Sequence, residues 1–249
     1  MIEAIKNHRS IRKYQKKEIP ANLLEEILLA GTRASTTGNM QVYSVIVTTD
    51  NVLKEKLWEC HFKQDMVLQA PVILTFCADF NRFSKWCMIN EAKPGYNNFL
   101  SFFTAAIDAM LVAQNVCLEA ENKGLGICYL GTTTYMAEKI INVLKLPELV
   151  VPVTTVVLGY SDEEPGLTDR LPLGAVLHHE TYQNYSEKSI KQLFSEKEQM
   201  EFYKNIVKEN GLENLAQVFA QKRYTRNDNV FFSKALLSVL EKQGFMNNE

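Results

Sequence analysis

The chain has no Cys-x-x-Cys pair. Its cysteines are five, an odd number: Cys60, Cys77, Cys87, Cys117 and Cys128. Three of them sit inside apolar runs, where a thiol behaves as a small hydrophobe. This excludes a disulfide framework. The four histidines, His8, His61, His178 and His179, show no zinc-type spacing with cysteines or acids, so no metal site is expected. There is no extended basic run and the formal net charge is −2, which excludes a large nucleic-acid footprint but leaves room for a local basic pocket. No signal-peptide core opens the chain, and no apolar stretch reads as long enough to cross a membrane. Also missing are a Walker-type phosphate loop, a Gly-x-Ser-x-Gly elbow and a catalytic-cysteine signature. The expectation is a reduced, cytoplasmic, soluble protein without nucleic-acid or membrane partners.

What is present is an ordinary globular balance, 46% apolar and 22% charged over 249 residues. That length allows one large domain or two small ones. Ile2, Ile5 and the basic turn after them predict a short first helix. Pro20 opens a second, with Leu23, Leu24, Ile27 and Leu28 on one face and Gly31 as its stop. Residues 34–41 read as a loop, 44–48 as a strand and 52–59 as a helix. Pro71 precedes an apolar run, 72–78, that reads as a buried strand. The strongest helix spans 101–122 and is apolar nearly all round. It is expected to be buried on most sides, at the centre of a core or against a second subunit. Strands at 127–130 and 151–160 flank a helix at 136–144. From about 186 the charge and amide content rises, with helices around 190–194, 199–210 and 234–243. This tail is expected to lack a core of its own and to wrap the main body or a partner. The division is therefore 1–185 and 186–249.

Chemistry is carried by separated segments. His8-Arg9-Ser10-Ile11-Arg12 places two guanidiniums three residues apart, on one face if the turn is helical. A guanidinium suits a phosphate or a polar ring edge; the alternative is a surface basic cluster. The others are Thr36-Thr37-Gly38-Asn39-Met40-Gln41, Phe76 to Arg82, Gly124 to Gly131, and Arg170-Leu171-Pro172. A dinucleotide fold is rejected: Gly124-x-Gly126 lacks the third glycine and follows a helix rather than a strand.

Taken in order, these five segments resemble the FMN-dependent nitroreductase family, in its NADPH-dependent, oxygen-insensitive branch with the bacterial flavin reductases. The match runs from about Met1 to Tyr185, and Lys242-Gln243-Gly244-Phe245 resembles the family's end. The resemblance implies an α+β fold: a central, mostly antiparallel sheet flanked by helices, a long buried central helix, a helical C-terminal extension and a homodimer. It implies FMN as cofactor and NADPH or NADH as electron donor. It also implies a ping-pong cycle in which hydride passes through flavin N5 to a nitroaromatic, quinone or flavin acceptor.

Residue by residue, His8, Arg9 and Ser10 match the segment that holds the FMN phosphate and ribityl chain. Arg12 matches a cation beside the flavin N1–C2=O2 edge, where fixed positive charge favours hydride acceptance; its alternative is a second phosphate clamp. Ser35, Thr36, Thr37 and Asn39 match a loop bonding the ribityl and pyrimidine parts, although Asn39 also suits a simple turn. Gln64 matches an amide at the N3–O4 edge; otherwise it is an exposed helix glutamine. Tyr129, Leu130 and Gly131 match the segment over the ring, with the Gly131 N–H toward N5; otherwise they are a strand end with a turn glycine. Arg170 matches a phosphate-binding arginine. Two departures stand out. Thr168 replaces the branch's usual lysine, and Arg223 and Arg226 match the 2′-phosphate grip only loosely, a solvated helix end being the other reading. Phe99, Phe102, Phe103 and Tyr43 are candidate aromatic walls. No general acid is evident, as expected if solvent supplies the protons. Competing readings are an FMN protein of the same fold used for dehalogenation or flavin breakdown, and a non-enzymatic helical interaction protein.

Overall fold

The computed structural model describes residues 1–247. They form two compact units, Met1–Gly166 together with the chain from Phe232 on, and Leu167–Phe231.

The first unit contains α1 (Glu3–Lys6), α2 (Ala21–Gly31), β1 (Tyr43–Thr48), α3 (Asn51–Cys60), α4 (Met66–Gln69), β2 (Val72–Asp79), α5 (Asn81–Ile89), α6 (Phe99–Asn122), β3 (Gly126–Leu130), α7 (Ala137–Leu144) and β4 (Val150–Gly159). The four strands make one antiparallel sheet in the order β1-β2-β4-β3. β2 is buried along its whole length, as its unbroken apolar run requires of a central strand. Pro152 cannot donate to a ladder. It lies beyond the end of the β3 pairing, and the β2–β4 register shifts there, leaving Val153 as the extra residue.

The long helix begins two residues earlier than its apolar pattern indicates. The Asn98 side chain accepts from Ser101 N–H at 3.0 Å and caps it. It ends where Leu125 N–H reaches back to Ala120 O at 2.9 Å, with Gly124 at φ +79°. Within the single chain the helix is buried along one face only. Its inner stripe is small, with Ala105, Ala109, Val112, Ala113, Val116 and Ala120 against α2, β2 and β4. Its other face leaves large apolar side chains exposed. The expectation that no segment reaches membrane-spanning length is corrected. α6 has 24 residues and contains an 18-residue stretch of mean hydropathy 1.4, long and apolar enough by length and composition; here the helix packs a small-residue stripe onto a sheet. Gly31 ends α2 for a reason other than turn geometry. A Cβ there would stand 2.5 Å from Val116 Cγ2, so glycine lets α2 close onto α6.

The second unit contains α8 (Glu187–Gln199), α9 (Glu201–Glu209), α10 (Leu215–Val218), a π turn at Phe219–Arg223 and the start of α11 (Arg226–Lys242). Although this segment was expected to lack a core, Tyr203, Ile206, Leu215 and Val218 are buried together. The spacing Tyr203/Ile206 puts two large side chains on one face of α9. The boundary between units falls within α11. Beyond it, Val239, Leu240 and Phe245 pack with Val42, Ala78 and Phe80 of the first unit.

Candidate functional site

Residues 8–12 are extended, not helical, because α1 ends at Lys6. Ser10 bridges Ile127 of β3 in parallel, and Ile11 N–H donates to Ile127 O at 2.9 Å. The physical reason is the open edge of β3, whose backbone groups need partners, together with Ile11, which is buried. Side chains alternate along an extended segment. His8, Ser10 and Arg12 therefore share one side, and Arg9 joins Asn7 and Ile11 on the other, lining a shallow cavity with Glu121 and Glu163. The expected pairing of Arg9 with Arg12 on one helical face is thus corrected. Arg9 Nε is buried and has no hydrogen-bond partner.

Several contacts hold this segment still. His8 Nδ1 lies 2.7 Å from Glu121 Oε1, and burial raises the Glu121 pKa while His8 opposes the rise. Burial raises the Cys128 pKa, and the Arg12 charge and the Ser10 side chain oppose the rise. The backbone N–H groups of Arg12 and Lys13 both donate to the Glu163 carboxylate. Tyr14 donates to Ile11 O at 2.7 Å, and burial pushes its pKa up, so the phenol remains a donor. The Arg12 side chain itself is exposed, with Nη1 3.4 Å from Ser10 O.

The turn after α3 meets the turn after β3. His61 is fully buried, and its Nδ1 lies 2.8 Å from Thr132 Oγ1. The Gln64 side-chain amide donates to His61 O at 2.9 Å, which places it inside the same turn. Leu130 is core, packed with Leu57, Cys60 and Val67, and its carbonyl accepts from Thr133 Oγ1 at 2.9 Å. Tyr129 leans on α6, its hydroxyl 3.4 Å from Gln114 Oε1. A Cβ built on Gly131 would meet nothing within 4 Å, so the backbone there faces open space.

The loop carrying Ser35, Thr36, Thr37 and Asn39 lies elsewhere on the same chain. Thr37 N–H donates to Asp108 Oδ1 at 3.0 Å. Gly38, Asn39 and Gln41 all have positive φ, which suits the turn reading of Asn39. Asp108 and Glu121 are both on α6, so thirteen residues at 1.5 Å rise separate this loop's anchor from that of His8 by about 20 Å along the helix. In the second unit, Arg170 is exposed and its Nη1 donates to Asp169 O at 2.9 Å and Thr168 O at 3.3 Å. Asp169 is held by Lys197 Nζ at 2.8 Å and Tyr203 Oη at 2.6 Å. Arg223 and Arg226 are exposed, at the end of the π turn and at the first residue of α11. Tyr43 is core rather than wall; Phe99 and Phe103 are exposed on α6.

Sequence reasoning missed His61, Glu121, Glu163 and Asp108. The two α6 acids carried a signal, as charges inside an otherwise apolar helix. His61 and Glu163 carried none, because their partners lie 71 and 151 residues away.

Burial lowers the His61 pKa from 6.5 to about 4. The unfolded chain protonates this imidazole below about 6.5 while the folded protein does not, so stability is whole above that pH and is lost as pH falls toward 4. The expected loss is about 3 kcal/mol, at roughly 1.4 kcal/mol per pH unit. Urea unfolding of wild type and His61→Gln at pH 7 and pH 4.5 reads it: the gap between them narrows at the lower pH. A constant gap would remove the assignment of His61 as a buried neutral group.

The donors suit FMN. An anionic phosphate and a polyol need the hydroxyl, imidazole and guanidinium on the one side of residues 8–12, and a flat ring needs the unfilled space at Gly131. The nitroreductase family profile matches residues 5–160. An FMN reductase [NAD(P)H] of Bacillus subtilis (strain 168) is 32% identical over 98% of this chain and 97% of its own length. A protein from Bacteroides fragilis NCTC 9343 assigned as an oxidoreductase has a crystal structure that superposes at TM-score 0.97, with 52% identity, over 99% of this chain and 100% of that one. The NADPH:FMN oxidoreductase of Vibrio harveyi, solved with NAD+, superposes at TM-score 0.80 with 26% identity over 99% of both chains. The chain belongs to the nitroreductase family, in its FMN reductase and NADPH-dependent branch, and is an oxidoreductase of that type.

Proposed function

We propose that this oxidoreductase binds FMN, takes electrons from NADPH or NADH, and passes them by a ping-pong cycle to a nitroaromatic, quinone or flavin acceptor. One observation carries the reading: residues 8–12 pair along β3, and the 61–64 turn is tied through His61 to Thr132 in the turn that follows β3, where the backbone of Gly131 faces open space. When bound, FMN supplies two-electron hydride chemistry at N5. His8 and Ser10 bind its polar chain, and Gln64 offers an amide to the ring edge. Gly131 admits the ring by having no side chain. Arg12 holds a fixed positive charge that stabilises negative charge arriving nearby. Neutral His61 holds Thr132 and with it the turn.

The same reading makes the enzyme a homodimer. Phe99, Leu100, Phe103, Ile107, Met110 and Leu111 leave a continuous exposed apolar stripe on α6, of the kind that buries itself against a second copy. The distance along α6 between the 35–39 loop and His8 supports sites completed across that dimer, with one copy's loop serving the other's FMN. The five cysteines, all free and buried, suit the cytoplasmic location that the reading includes.

The test is reconstitution of the purified protein with FMN, followed by calorimetry, sedimentation and NADPH and NADH oxidation with ferricyanide. The expected result is one FMN per chain, a dimer, and turnover with at least one donor. A colourless protein that releases no heat with FMN would overturn the reading.

A further inference from the structure

We infer that Arg82 is a positioning residue for FMN, clamping the turn at 38–41 so that the loop of Ser35, Thr36, Thr37 and Asn39 keeps one shape. This deepens the proposed function and rests on its assignment of that loop to the cofactor.

The segment Phe76 to Arg82 carries part of the family resemblance, yet none of its side chains has a task in the reading above. Its end is firmly held. Phe80 is buried and its N–H donates to Leu149 O at 3.0 Å, so α5 starts from a fixed point. Arg82 is the second residue of α5, and its N–H donates to Asp79 Oδ1 at 3.3 Å.

From there the guanidinium reaches across to the chain that enters β1. Nη2 donates to the carbonyls of Gln41 and Tyr43, the latter at 3.1 Å. Nη1 lies 3.4 Å from Ser44 Oγ and 3.8 Å from Asp79 Oδ2, and Ser44 Oγ donates to that same carboxylate oxygen. Asp79 N–H donates to Val42 O at 2.9 Å. Four consecutive residues, 41 to 44, are thus bonded to Asp79 or Arg82. A planar guanidinium holds two acceptors in fixed directions, which suits this task.

The clamp falls where the backbone is strained. Gly38, Asn39 and Gln41 have φ of 57°, 54° and 53°. Glycine and asparagine tolerate the left-handed region, but glutamine has no such allowance. Gln41 is the residue whose own carbonyl Arg82 holds. At the other end of the turn, Thr37 donates to Asp108 Oδ1 through its N–H at 3.0 Å and its hydroxyl at 3.3 Å. Strain of this kind persists where the surroundings impose it, and a loop already in shape spares a ligand the cost of ordering it. Global stability is a poor alternative account. The Arg82 side chain is 58% exposed, and an exposed ion pair contributes little to folding.

The test compares full-length wild type, Arg82→Ala and Arg82→Gln. Hydrogen exchange of the FMN-free proteins reads the amides of residues 38–42, calorimetry reads the dissociation constant for FMN, and urea unfolding reads global stability. For Arg82→Ala, exchange at 38–42 is expected to rise about tenfold and FMN to bind about three- to tenfold more weakly, with the urea midpoint unchanged. Guanidinium chloride, well below denaturing concentration, is expected to restore much of the FMN affinity of Arg82→Ala, while sodium chloride at equal ionic strength does not. Arg82→Gln carries the same expectations for exchange and affinity if the alanine variant does not fold. Unchanged exchange at 38–42, or raised exchange with unchanged FMN affinity, would overturn the clamp. So would weaker FMN binding that comes with a lowered urea midpoint and no rescue by guanidinium, the mark of a general loss of structure. Wild type that binds no FMN would overturn the proposed function, while the exchange measurement would still decide whether Arg82 fixes the loop.

Discussion

On the proposed FMN chemistry, Arg12→Ala is expected to slow reduction of the flavin by NADPH or NADH roughly 30- to 1,000-fold, equivalent to about 2–4 kcal/mol of barrier. The structure makes this a clean substitution. The Arg12 backbone N–H is fixed by Glu163, and the segment around it by the Ile11–Ile127 pairing and by Tyr14. None of these contacts uses the guanidinium, which is exposed, so stability is expected to stay within about 0.5 kcal/mol. What is lost is a fixed charge that needs no reorganisation when negative charge develops beside it. Arg12→Lys retains the charge without the planar fork and recovers part of the rate. Stopped-flow reduction of the three proteins gives the comparison. If Arg12→Ala reduces as fast as wild type, the arginine is a clamp or a surface charge, and the electrostatic role is lost.

Gly126→Val acts on the same site through the fold. Gly126 begins β3 opposite Gly159. A Cβ there would lie 2.6, 2.8 and 3.0 Å from three side-chain atoms of Ile11. Ile11 cannot retreat, because its own N–H is bonded to Ile127 and its side chain is buried in a cluster with Tyr14 and Leu57. Overpacking of this kind costs about 1–3 kcal/mol, and the relief open to the chain is to lift residues 8–12 off β3. The variant is therefore expected to lose stability by about that amount in urea unfolding and to weaken FMN binding tenfold or more in calorimetry. Gly131→Ala separates the two effects. With open space around the new Cβ, its stability should stay within about 0.5 kcal/mol, while FMN affinity falls because a methyl group stands where the ring approaches. Equal destabilisation by both variants would refute the distinction between a packing glycine and an access glycine.

Much of the architecture was readable from local pattern. The unbroken apolar run before Asp79 marks a central strand, Pro20 marks a helix start, and the glycine after Lys123 marks a helix end, each through backbone constraints that act within a few residues. The candidate residues were nameable from sequence as well: His8, Ser10, Arg12, Gln64 and Gly131 stand in segments that carry the family resemblance. Their arrangement was not. Arg9 and Arg12 look like neighbours on a helical turn until the edge of β3 claims Ile11 and straightens the segment. The partner is 116 residues away, and no local propensity encodes it. For the α6 helix, composition reports apolarity without reporting which face the chain itself covers, and only the inner, small-residue face packs on the sheet.

The order and type of amino acids alone determined the elements, the family and the chemical kinds of group available to a cofactor, since helix caps, strand runs and glycine turns are decided by near neighbours. Only the folded chain decided which of those groups share a side, that His61 is held neutral against Thr132, and that the 35–39 loop and His8 are anchored at different points of one helix. Those outcomes come from long-range pairing and burial, which depend on what three-dimensional packing brings alongside each residue.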